Sequence, residues 1–115
     1  MGEINSEVDG VIKHIVMFKL KESADGLEKA ENIQRIKSKL EALPEKIDEI
    51  RFFEVGVNFS NTGVAYDLVL NSEFESKEAL YSYQKHPDHV KVADFVHKVC
   101  ENRIVADYDV WEERL

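Results

Sequence analysis

The sequence predicts an α+β fold: a four-stranded antiparallel sheet with two helices on one face, connected in the order βαββαβ. Three observations predict it. Four stretches alternate with period two, and two others repeat apolar residues every three or four positions. The helical stretches fall between the first and second strands and between the third and fourth. At 115 residues the chain has room for one core, and these six elements fill it.

Residues 1–10 are polar and predict a flexible arm. The first strand runs from Val11 to Leu20. Ile12, His14, Val16, Phe18 and Leu20 share one face, while Val11, Ile15 and Met17 share the other with Lys13 and Lys19. Ser23 or Asp25 is then placed to cap a helix, because a short oxygen-bearing side chain satisfies free N–H groups of the first turn. Leu27, Ala30, Ile33, Ile36, Leu40 and Leu43 give that helix its apolar stripe, and Pro44 ends it.

The second strand is expected over Ile50–Phe59. Asn58 to Gly63 supplies a turn, since Asn and Gly tolerate positive φ. A third strand over Ala65–Phe74 closes a hairpin. Ser76 caps a second helix with Ala79, Leu80 and Tyr83 on its inner side. Proline cannot continue a helix from within, so His86-Pro87 interrupts it, and a further helical segment starts near Asp88. Val92, Phe95, Val96 and Val99 form its stripe. The last strand is expected over Ile104–Trp111.

This order is the split-βαβ arrangement of ferredoxin-like folds. Both helices must cover one face of the sheet, which leaves the other bare. Yet the first strand is apolar on both sides, and a large bare apolar face is unusual on a monomer. A second copy of the chain, packed sheet to sheet, is the expected partner.

Composition narrows the function. The formal net charge is −8, which disfavours nucleic acid and anionic membranes as partners. No apolar run approaches the roughly 20 residues that span a bilayer, and the acidic N-terminal segment predicts no signal peptide. Met1-Gly2-Glu3-Ile4-Asn5-Ser6 fits a minimal myristoylation pattern, but no basic cluster follows to reinforce an anchor. Asn58-Phe59-Ser60 is a sequon that matters only in a secreted chain. Cys100 is the single cysteine, so a reducing cytoplasm is the expected location. His86 and His89 flank Pro87-Asp88, yet no Cys cluster or His-x3-His spacing supports zinc. No metal or other cofactor is predicted.

Four strings resemble the stress-responsive A/B barrel (Dabb) domain family: His14-Ile15-Val16-Met17-Phe18-Lys19-Leu20-Lys21, Phe52-Phe53-Glu54-Val55-Gly56-Val57-Asn58, Phe74-Glu75-Ser76-Lys77-Glu78-Ala79-Leu80 with Tyr83-Gln84-Lys85-His86-Pro87-Asp88-His89-Val90, and Val105-Ala106-Asp107-Tyr108. The resemblance spans roughly Val11 to Trp111, so residues 11–115 are taken as one such domain. It implies a dimeric α+β barrel formed by two ferredoxin-like sheets.

The resemblance also implies a site. Some family members are stress-induced proteins without an assigned activity, and others are polyketide cyclases. Carried over from the cyclases, His89 is the general base, Tyr83 is its partner, and His14 and Asp107 are further pocket residues. An imidazole with a pKa near 6.5 suits proton transfer at neutral pH. Val16, Phe18 and Leu68 are expected to line the same pocket between sheet and helices. Three functions follow: binding of a small apolar or aromatic ligand, cofactor-independent cyclase or lyase chemistry on a polyketide-like carbonyl compound, or cofactor-free monooxygenation. The last rests on fold analogy alone.

Overall fold

The computed structural model describes residues 10–111; the expected N-terminal arm lies outside them except for Gly10, as does the end of the chain after Trp111. The ten-residue strand β1 (Val11–Leu20) leads into a two-stranded ribbon, β2 (Ser23–Ala24) and β3 (Leu27–Glu28), and then helix α1 (Lys29–Glu41). Strands β4 (Ile50–Val57) and β5 (Leu68–Phe74) follow. Two consecutive helices, α2 (Lys77–Lys85) and α3 (Pro87–Val99), precede the long final strand β6 (Cys100–Val110). The main sheet has the order β4-β5-β1-β6, and every pairing is antiparallel. This is the expected ferredoxin-like topology.

The first helix begins later than its cap-like residues suggest. Ser23 and Asp25 do not cap it; they belong to the β2–β3 ribbon, whose turn places Asp25 at φ 54° and Gly26 at φ 80°. An Asp-Gly pair with positive φ at both residues suits a tight hairpin turn, and that use competes with capping. The helix starts instead at Lys29, where the Glu31 carboxylate accepts the Glu28 N–H. Leu27 therefore sits in β3 rather than on the helical stripe. Asn32, fully buried, secures the ribbon to the helix by donating from its amide to the Ala24 carbonyl at 3.0 Å.

The other boundaries move by a few residues. The connection between β4 and β5 runs to Asp67, beyond the expected turn, and Asn58 closes it by donating to the Tyr66 carbonyl. The final strand starts at Cys100, four residues before its alternating pattern, because the Lys21 N–H bonds the Val99 carbonyl and carries the chain from α3 straight into the ladder.

Register settles which face is which. Ile12, His14, Val16, Phe18 and Leu20 face the helices and are all buried. They pack with Leu68, Leu70 and Phe74 of β5, Val55 of β4, Ile36 and Leu40 of α1, and Val96 and Val99 of α3. The opposite face carries Met17, paired in register with Ile104 and Val69, and Phe52 on β4. Met17 is 43% exposed and Ile104 48%. The helices leave this apolar face open, as expected for one side of the sheet.

Replacing Asn32 with Leu keeps the volume and removes the donor that satisfies the Ala24 carbonyl. The expected loss is about 1–3 kcal/mol, read as a lower midpoint in urea unfolding with an unchanged slope.

Candidate functional site

Strand β1 brings His14 to the helix-facing side of the sheet, in register with Ser72 on one side and Asp107 on the other. The His14 ring is 5% exposed. Its Nδ1 donates to Asp107 Oδ1 at 2.5 Å, while the carboxylate side chain stays 40% exposed at the sheet edge. Ser72 adds a second anchor by donating its hydroxyl to the His14 carbonyl at 2.8 Å. A carboxylate on Nδ1 fixes an imidazole's orientation and its tautomer.

Tyr83 comes from α2, because Ser76 starts that helix by accepting the Ala79 N–H. Its ring packs against His14 at a centroid distance of 6.1 Å and against His89 at 4.5 Å. Burial raises the Tyr83 phenol well above its ordinary range, so the hydroxyl stays protonated and has a proton to donate.

The His86-Pro87 break then positions His89. Pro87 occupies the first helical position, and the His86 ring caps α3 by accepting the Asp88 N–H through Nδ1. His89 is left to turn inward, where its Nδ1 donates to the Gln84 carbonyl at 3.0 Å. That bond puts the ring proton on Nδ1 and leaves Nε2 with a lone pair. Burial chiefly, opposed by the Gln84 hydrogen bond and aided by the neighbouring His14, Arg103 and His86, holds His89 below the ordinary imidazole value.

These groups share one cavity of about 30 Å³, lined by His14, Tyr83, His89, Arg103 and a wall of apolar side chains that includes Val16, Phe18 and Leu70. It has room for about two water molecules. Asp107 reaches the cavity only through His14. Leu68 lies in the core beyond Phe18 and does not line it. Arg103 escapes the sequence reading because the expected last strand begins at Ile104. Its signal is the period-two relation to Asp107, which places both on one face of the strand. Among the described residues, no three His, Cys, Asp or Glu side chains converge as metal ligands, and no helix is long and apolar enough to cross a membrane.

A family model described as the stress-responsive A/B barrel domain, Dabb, matches residues 12–110. The chain belongs to this family. One Dabb relative, a stress-response A/B barrel domain-containing protein of Arabidopsis thaliana, is 33% identical over 99 residues. The match covers 85% of this chain but 36% of the relative, so the chain spans about a third of that protein's length. A crystal structure of a dimeric protein of unknown function from Bacteroides fragilis, with a ferredoxin-like fold, superposes with a TM-score of 0.74 at 36% identity. It covers 88% of this chain and 97% of that one. A hydroxynitrile lyase from Passiflora edulis shares the fold at 18% identity, with a TM-score of 0.75 over 92% of this chain and 98% of its own.

The depressed His89 value has a definite sign. The unfolded chain takes up the imidazole proton first, so the folded state loses stability as pH falls through about 6.5, until the folded ring is itself protonated. The contribution is fully present above that range. His89→Gln should flatten this part of the profile, measured by urea unfolding at intervals between about pH 7.5 and 5; an identical slope in both proteins would assign it to other groups.

Proposed function

We propose that this Dabb protein is a homodimer whose sheet–helix cavity moves protons on a small carbonyl compound without a cofactor. The observation that carries the proposal is the setting of His89: its Nδ1 held on the Gln84 carbonyl, which leaves Nε2 free, and its ring on the cavity beside Tyr83 and the His14–Asp107 pair. In the proposed step, Nε2 removes a proton from carbon next to a carbonyl group. The C–H electron pair becomes the enolate, and His89 becomes an imidazolium. The Tyr83 hydroxyl donates a hydrogen bond to the developing enolate oxygen. His89 then returns the proton to the product. The His14–Asp107 pair holds the opposite wall in one orientation and keeps a second imidazole at hand.

The apolar wall supports this assignment, since a dry setting strengthens each of these interactions. The cavity as it stands has room for about two water molecules, and pockets for drug-sized ligands span about 300–1,000 Å³. Even a small carbonyl compound would therefore have to open the space between β1 and α3, and a polyketide-sized molecule would have to open it further. The Passiflora edulis neighbour, a hydroxynitrile lyase, supports the proposal only as an enzyme carried on the same fold. Binding without turnover would use the same cavity but has no need of a base with a free Nε2.

Dimerisation is supported by the open apolar sheet face and by the dimeric state of the Bacteroides fragilis neighbour. Covering the exposed half of a side chain such as Met17 or Ile104 contributes about 1 kcal/mol, and several such side chains lie together. The two sheets would then close a barrel between the protomers.

Catalysed exchange of carbon-bound hydrogen is the direct test, with methyl acetoacetate in heavy water followed by proton NMR. The protein should exceed the buffer rate, and His89→Ala should remove about 100-fold or more of the excess. Equal rates in the two proteins would defeat the assignment of His89 as base. Sedimentation at micromolar concentration should give about 27 kDa, twice the 13.3 kDa chain, and Met17→Lys should shift the population toward monomer. A wild-type monomer would refute the dimer.

A further inference from the structure

We propose that Arg103 is the specificity residue of this site and that the substrate is a small carboxylic acid, bound as its anion with the carboxylate on the guanidinium. The substrate class rests on the proton-transfer reading above; the anion recognition does not.

Arg103 lies on β6 opposite Phe18, on the helix-facing side of the sheet. It is exposed and also lines the cavity, so it stands where the cavity meets solvent. Asp107 shares its strand face but is four residues away, about 13 Å along an extended chain. That carboxylate is already held by His14 at 2.5 Å. Among the described residues, Arg103 forms no ion pair or side-chain hydrogen bond. The other polar side chains on the cavity are the His14 and His89 imidazoles and the Tyr83 phenol, which burial keeps protonated, and none supplies a negative charge.

Among the described residues, the Arg103 guanidinium is therefore a cation without an ion-pair partner, standing at an apolar cavity beside the candidate base in a chain of net charge −8. Arg103 and His89 line the same cavity, so the guanidinium charge acts against protonation of the imidazole. An anion would complete the balance. Carboxylate suits the guanidinium because the planar fork donates to both oxygens at once. With the carboxylate held at the mouth, the carbon chain of a short oxo acid would point inward toward His89 once the space between β1 and α3 opened to admit it. The enolate formed there would carry a second negative charge, again toward the cation. Arg103 would thus favour the proton transfer as well as the binding.

Titrating the full chain with acetoacetate and with its methyl ester, followed through the imidazole C–H signals, reads the two affinities separately. The wild type should favour the acid. Arg103→Gln should cut that preference at least about tenfold, and Arg103→Lys should restore part of it. The inference is overturned if the wild type binds neither ligand, or binds acid and ester alike. It is also overturned if the preference survives in an Arg103→Gln protein with unchanged sedimentation and circular dichroism. If acetoacetate binding depends on Arg103 while no exchange of its carbon-bound hydrogen is catalysed, the proton-transfer reading falls and anion recognition stands.

Discussion

Strand β1 runs through the interior of the sheet, between β5 and β6, and is apolar on both of its faces. Most of the architecture depends on this constraint. An alternating strand sends successive side chains to opposite sides, so one set must meet the helices and the other must meet something else. Ile12, Val16, Phe18 and Leu20 take the helices. Ile15 and Met17 take the open face, where β4, β5 and β6 contribute Phe52, Val69, Ile104 and Tyr108. The same alternation places His14 among the buried residues, where an imidazole needs a partner.

That need is met across the sheet rather than along the chain. Asp107 is 93 residues from His14 in sequence and directly opposite it in register. A slip of one residue would turn the carboxylate to the open face and leave the imidazole alone. The pair and the register therefore support each other. Among the described residues, the β1–β6 ladder is the longest and carries one irregularity, at Lys19–Leu20, beyond the functional residues. On the other wall, Pro87 divides one helical stretch into α2 and α3, so that Tyr83 at the end of one helix and His89 at the start of the next come within ring contact.

Much of the fold was legible because it depends on local periodicity. The four main strands, the helices and their order follow from where apolar residues recur. The misplaced boundaries share a cause: residues with two local uses. Ser23 and Asp25 have the chemistry of helix caps, yet Asp25-Gly26 is also a hairpin turn, and the turn prevails because Asn32 ties the ribbon down from within α1. His86 and His89 are two imidazoles within the same turn, only one of which can cap α3. His86 does so because Pro87 can occupy only the first helical position after it, and His89 is thereby freed for the interior.

The sequence by itself determined the element order, the two-sided sheet and the residue types available for acid–base chemistry, because these follow from side-chain chemistry and short-range spacing. Only the tertiary structure decided which face of β1 meets the helices, which histidine caps and which faces the cavity, and which charge stands unpaired. Arg103 and Asp107 show the reason. They share one face of one strand, but only register across the sheet gives Asp107 to His14 and leaves Arg103 at the cavity mouth.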